Sequence, residues 1–551
     1  MLKKKLVSSV LCVVALTSSI APFAACSRGG AYEEKIDTTK TQLYVSNYDG
    51  GFGSQWLMDL KDEFETANAG VSFENGKMGC QIIVEPNKTL GDSFNISTTS
   101  SELFFIERLP TSTIFEMISK NEMMPLNDVM NDILAQDGVD LKEEVQKGLK
   151  VVDGNYYMIP HYEGGGGITY DRELFEEKVL YIKEGGGYTN HEVGGLSAGP
   201  DGVKGTDDDG LPATLKEFSS LCAWMVQRGV DPFIISGQYK TAYIRMLLDR
   251  IALAYDGYET SRAQFTFEGE DIEYITGMTE NANATFGYDL TTATFNVNND
   301  NAYQLYQTKG RWYALAFLKE LINKKWYNVK GWNSTTSHVD AQELYLKSAG
   351  SSKPIAMLFD GVWWQNEASE VYTRMESENS ENSRANRQFA WMPMPTRLDE
   401  NDTNANGDSM LTTDEMYAYA FARGGLSEGK TKLAKDFLRF CYTPENLEKF
   451  TVSTETTRPF TYTISNESYN NLSYFGKQVW NMHKDGKFIY THSENIVYSL
   501  NEGPLVNNRW AASMSGNPLV AFFDSNYSAY EYFKGMWKTQ TQWQDSLLLA
   551  K

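Results

Sequence analysis

Aromatic and carboxylate side chains recur together where an apolar run gives way to a loop. Tyr48, Asp49 and Phe52 follow LYVS, Glu107 follows LFFI, and Tyr239 and Tyr243 border PFIISGQ. Asp360, Trp363, Trp364 and Glu367 follow IAMLF, and His161, Tyr162 and Glu163 stand in IPHYEGGGG. A ring offers a flat apolar face, while a carboxylate accepts hydrogen bonds. Side by side in a cleft, the two suit a ligand with C–H faces and hydroxyl edges. Open α/β sheets present such groups beyond the carboxyl ends of their strands. Aromatics make up 13% of the chain, enough to line a cleft as well as a core. Each of these rings also has a plain reading as core packing.

Other chemistries are less well supplied. The five histidines (161, 191, 338, 483, 492) never fall in a metal-ligand spacing, and no CxxC occurs, so a zinc site is not expected. Cys80, Cys222 and Cys441 are too few and too widely spaced for a disulfide framework; they read as one bridge or as three buried thiols. Two polar segments could hold calcium, which takes carboxylate and carbonyl oxygens. One carries Asp201, Asp207 and Asp209 among glycines. The other carries Asp402, Asn404 and Asn406 before Gly407, but has Thr413 where a bidentate Glu belongs. The competing reading of both is a solvated loop. No GxSxG and no GxxxxGK[ST] is present. With 72 acids, counting alone leaves a hydrolytic carboxylate pair available.

The elements that position these groups follow a repeated grammar. Leu43–Val45 reads as a buried strand, and Ser54 as the cap of a helix with Trp56, Leu60 and Phe64 on one face, ended at Gly70. CQIIVEP (80–86) and SELFFIERL (101–109) supply two more strands. Strand–helix–strand order predicts a parallel α/β sheet. The pattern resumes at 154–178, in the helix of 312–325, at KPIAMLFDGVWWQNEA (353–368) and at EMYAYAFARGG (415–425), with helices over 431–450 and 528–549. Four successive glycines, 164–167, predict a crossing whose backbone takes angles barred to other residues.

The 551 residues allow two to four domains, and 41% hydrophobic residues suffice for real cores. Lys3–Lys5, an apolar run from Leu6 and the small residues before Cys26 form a secretory signal. Its apolar core is too short to span a bilayer. The ending Phe-Ala-Ala-Cys resembles a bacterial lipoprotein signal, with Phe23 at the usual Leu position; lipid on Cys26 is what that resemblance implies. Residues 1–25 hold three lysines and no acids, so cleavage takes the net charge from −22 to −25. That balance excludes nucleic acid as an expected partner. Residues 26–40 read as a flexible leash.

Four stretches in order resemble the extracellular solute-binding lipoproteins of ABC importers, in the carbohydrate-binding family 1 that includes maltodextrin binders. They are NYDGGFGSQW after the first strand, YYMIPHYEGGGGITYDRELFEE (with Asp171 where Asn is common), KPIAMLFDGVWWQNEA, and EMYAYAFARGGLSEGKTKLAKDFLRFCYTPENLEKF. Together they span most of 41–550. The chain is longer than usual for the family, with excess at 184–214, around 258–310 and at 397–413.

The resemblance implies a two-lobed α/β fold, periplasmic-binding-protein-like and of type II, closing on ligand about a hinge. Lobe one would take 41–160 plus 417–470, and lobe two 161–416 plus 471–551. A carbohydrate, expected to be an oligosaccharide, would lie between them. Trp363 falls where the family places a stacking tryptophan, Arg458 lies near the return to the cleft, and Trp510 is a further candidate. The implied partners are a membrane permease and a cytosolic ATPase. The protein would be a monomer on the outer face of a bacterial membrane, with no catalysis and no required cofactor. A binder of peptide or another solute on the same fold, a secreted glycoside hydrolase, and a structural surface lipoprotein are the rival readings.

Overall fold

The computed structural model describes residues 35–48, 51–87, 94–106, 109–149, 152–414, 419–491, 493–512, 517–524 and 527–548. Cys26, Asp49 and Glu107 lie outside them. Two sheets organise the chain. The first holds five strands in the order Cys80–Asn87, Thr41–Tyr48, Leu103–Ile106, Tyr419–Ala422, Ile159–Pro160. The second holds four, in the order Phe389–Trp391, Gly166–Asp171, Ile355–Gly361, Asp231–Ile234.

The all-parallel expectation needs correction. Thr41–Tyr48 pairs in parallel with both of its neighbours, and Ile355–Gly361 pairs in parallel with Asp231–Ile234. Strands that arrive from the other half of the molecule run the opposite way. Tyr419–Ala422 is antiparallel to Leu103–Ile106, and Gly166–Asp171 is antiparallel to both strands beside it. A chain that crosses between lobes enters a sheet from the cleft side, so its strand points away from the cleft.

Trp56, Leu60 and Phe64 are buried on one face of the helix Gln55–Ala67, as the spacing predicts. That helix stops before Gly70, at its C-cap Asn68, whose side-chain amide joins its backbone N–H on the Phe64 carbonyl (2.9 and 3.0 Å). Helices Glu428–Cys441 and Pro444–Thr454 pack over it. In the second half, the helix Lys240–Thr266 lies against Lys309–Lys324. Gly257 breaks it with φ 76°, and a Cβ there would meet the Asn406 carbonyl oxygen at 2.0 Å. The segment 397–413 seats on this break. Asp408 N–H donates to the Ala254 carbonyl (2.9 Å), and the Asn404 amide donates to the Tyr255 carbonyl (2.7 Å). The tail forms two short helices, Ala529–Met536 and Gln540–Ser546, anchored in the second lobe by the fully buried side chains of Tyr532 and Trp543. Cys80, Cys222 and Cys441 are free and buried.

The glycine crossing also differs from expectation. None of Gly164–Gly167 has a positive φ. They serve close packing: a Cβ on Gly165, Gly166 or Gly167 would meet Thr412 at 2.5 Å, Met246 at 2.1 Å or Trp391 at 2.3 Å.

Candidate functional site

The strand Ile355–Gly361 is buried throughout and ends in Asp360 beside Gly167 of the neighbouring strand. Asp360 Oδ1 accepts from Gly361 N–H (2.8 Å) and from the Tyr243 hydroxyl (3.4 Å). Its Oδ2 accepts from Gln342 Nε2 (2.9 Å), and that same nitrogen donates to Glu367 Oε2 (2.6 Å). His338 Nε2 stands 3.3 Å from Glu367 Oε1. Gln342 and His338 lie one turn apart on the helix His338–Ser348, so one helix face supplies both. Burial pushes both carboxyls up to about 7, and for Asp360 repulsion by Glu367 adds to it.

Trp363 follows at the N-cap of the one-turn helix Trp364–Glu367. Its base faces the other lobe, while its six-membered ring folds back over its own strand. A Cβ on Gly361 would lie 2.3 Å from the six-membered ring, and a Cβ on Gly51, in the loop after the first strand, would lie 2.8 Å from Cγ. Gly51 has φ 79°, so glycine suits it twice over. Two further links join the lobes nearby. The Asn366 amide donates to the Thr454 carbonyl, and Arg384 pairs with Glu455 while donating to Gln365 Oε1 (2.8 Å) and Asn366 Oδ1 (2.9 Å). The lobes are therefore in contact across Trp363. Tyr239, 44% exposed, caps the N-terminus of Lys240–Thr266 with its ring 5.8 Å from His338.

The other sequence candidates are placed elsewhere. Successive helical residues point about 100° apart, so Trp363 and Trp364 cannot share a direction. Trp364 is fully buried among Tyr345, Phe389 and Phe475. Phe52, His161 and Tyr162 belong to the first lobe's aromatic core with Trp56, Phe105 and Phe450. Burial, and then Arg458, pushes the His161 imidazole well below its ordinary value. Arg458 is itself fully buried, with its guanidinium 4.2 Å from Phe450, 4.3 Å from Tyr442 and 5.0 Å from Trp56, and Nη1 donates to the Cys441 carbonyl (2.7 Å). Trp510 is buried in the second lobe, donating to Asp249 Oδ1 (2.8 Å). Tyr48 ends its strand half-buried.

Glu163 has a different task from the one expected. It is fully buried where the lobes join. It accepts from the Thr457 hydroxyl (2.5 Å) and the Tyr490 hydroxyl, with His483 Nδ1 at 2.7 Å. Burial opposes its charge, but His483, Lys142 and Thr457 outweigh burial and hold its carboxyl below the ordinary value. The next residue, Gly164, donates its N–H to Asp414 Oδ1 (2.8 Å). These groups form a polar knot around the crossing.

The two candidate calcium loops turn their oxygens onto their own backbone. Asp201 accepts from Val203 N–H (2.7 Å), Asp209 from Gly205 N–H (2.7 Å), and Asp402 from Leu398 and Asn404 N–H (2.7 and 3.0 Å). Asp207 faces Tyr474, and Asn406 N–H donates to Asn404 Oδ1 (3.3 Å). Among the described residues no three His, Cys, Asp or Glu gather as metal ligands, and no helix is long and apolar enough to cross a membrane.

No protein-family profile and no curated protein sequence matches the chain. Solved structures do. One is a chitin oligosaccharide binding protein, 13% identical, with 91% of this chain and 98% of that chain covered and a TM-score of 0.54. Another is the GacH receptor of Streptomyces glaucescens GLA.O, described unliganded and in complex with acarbose, at 11% identity, 92% and 98% coverage and a TM-score of 0.54. A third is the Thermus thermophilus maltotriose binding protein bound with maltotriose, at 15%, 92% and 99% coverage, and 0.50. At such identities the likeness defines the fold: two α/β lobes of the periplasmic-binding-protein kind.

Proposed function

We propose that this chain is the substrate-binding component of a bacterial ABC importer. It captures a carbohydrate, an oligosaccharide, between its lobes outside the membrane and delivers it to a permease driven by a cytosolic ATPase. Cys26 carries the lipid that tethers it. The observation that carries this reading is Trp363, set between the lobes beside Glu367 and Asp360 in a fold whose solved neighbours are named for oligosaccharide ligands. An indole stacks on the C–H face of a pyranose, and Glu367, the half-buried member of the carboxyl pair, is the one that accepts from hydroxyls, with Asp360 fixed behind it. Ligand touching both lobes favours the closed state. Asp360 is 1% exposed with both oxygens engaged, which argues against attack on a glycosidic bond.

The test is calorimetric titration of the detergent-solubilised full chain with malto-, xylo- and chito-oligosaccharides, followed by product analysis. Saturable binding with the sugar recovered intact supports the reading. Cleaved sugar moves it to a hydrolase, and no heat with any member removes carbohydrate as the ligand.

A further inference from the structure

Outside the cleft, three rings gather on the second lobe. Tyr327 and Trp332 stack with centroids 4.3 Å apart, and Trp332 and Phe523 stack at 5.2 Å. Phe523 is 40% exposed, and Tyr327 and Trp332 are partly exposed. Tyr327 and Trp332 rest on the core beneath them, and the three rings together make a contiguous exposed apolar patch, the kind of surface that marks an interaction site.

The platform is built rigidly. Its loop, 326–337, is pressed against the segment that leaves the strand Asp231–Ile234. A Cβ on Gly237 would meet the Asn333 carbonyl oxygen at 1.9 Å, and one on Gly331 would meet Ile234 at 2.3 Å. Gln238 N–H and the Ser236 hydroxyl both donate to the Thr336 carbonyl (3.0 and 3.1 Å). Asn328 accepts from Lys330 and Gly331 N–H (3.0 and 3.1 Å), fixing the turn.

It is also continuous with the candidate cleft. Glu367 meets His338, the His338 ring meets Tyr239, and Lys240, next in the chain, sets its ammonium 6.0 Å over the Trp332 ring. Exposed rings thus run outward from the cleft, flanked by an ammonium and by the Asn517–Thr241 hydrogen bond (3.2 Å). We infer that the Trp332–Phe523 platform is a carbohydrate subsite on the second lobe outside the cleft, which holds the part of an oligosaccharide that extends past Tyr239. This rests on the oligosaccharide reading above and adds that the ligand is longer than the cleft.

The experiment measures affinity of the full chain for each member, from two to seven units, of the three oligosaccharide series. It uses wild type, Trp332→Ala, Phe523→Ala and Trp363→Ala. Phe523→Ala keeps the test decisive if Trp332→Ala folds poorly, because Phe523 is the most exposed of the three rings. Wild-type affinity is expected to rise with length. Each platform variant is expected to lose about tenfold on the long members and less than twofold on the shortest one that binds, the change expected for uncovering one ring face. Trp363→Ala is expected to lose affinity at every length. Equal loss at all lengths, or none, in the platform variants overturns the subsite while wild-type binding keeps the importer reading. Wild type that binds no member overturns both.

Discussion

At the scale of the residue, the two adjacent tryptophans give the sharpest contrast. Trp363→Ala is expected to keep the melting temperature within a few degrees and weaken oligosaccharide binding by at least tenfold in titration, since the indole meets both lobes. Trp364→Ala is expected to cost about 4 kcal/mol in denaturant unfolding, the loss typical of a deleted buried ring. The carboxyl pair predicts a pH dependence. Its folded pKa values lie above the unfolded ones, so the folded state binds the extra proton, and stability falls as pH rises from about 4 to about 7. Asp360→Asn removes one of the two charges and should flatten that slope in melts across the range. Glu163 acts in the opposite sense. Its lowered value gives stability that is present above pH 4.5 and lost as pH falls through the folded value.

At the scale of the element, the loop after the first strand must come close to Trp363 for the lobes to meet. Gly51 and Gly53 both have positive φ, but only Gly51 has the indole where a Cβ would go. Ala at either costs similar backbone strain, roughly 1 kcal/mol. Gly51→Ala alone is expected to weaken ligand binding, by about tenfold, with Gly53→Ala as the control in the same titration. The strand of IAMLF was readable in the sequence because its apolar run stops at Asp360, one residue before the strand itself ends. Which of Trp363 and Trp364 faces the cleft was not readable, since it depends on a single helical turn. Gln342 and His338 went unread for another reason: a polar residue on a helix face gains meaning only from what packs opposite. His161 and Arg458 looked like site residues by type and place, yet aromatic packing claims both. The direction of the crossing strands also escaped, because pairing sense is a property of the long return from the other lobe.

At the scale of the whole molecule, the links near Trp363 bear on how far the lobes separate. Arg384 and Glu455 are partly buried partners from opposite sides of the cleft. Arg384→Ala is expected to raise the radius of gyration of the ligand-free protein in small-angle scattering and to weaken binding by about threefold, the scale of one partly exposed ion pair. Oligosaccharide should restore the compact value. The two-lobed plan was legible from the order of short motifs, although no one of them specifies it.

The knot around Glu163 reaches further than the hinge. Its carboxylate is shared among Thr457, His483 and Tyr490, which come from chain segments on different returns between the lobes. If one lobe melted first, the other would keep a buried charge stripped of its partners, at a cost of several kcal/mol. A half-melted molecule is therefore disfavoured, and the lobes should share one calorimetric transition, helped by a buried cluster that runs from Trp56 and Phe105 to Trp364 and Trp391. Glu163→Ala removes the shared charge, and with it one reason for a single peak: its thermogram should broaden or split in two.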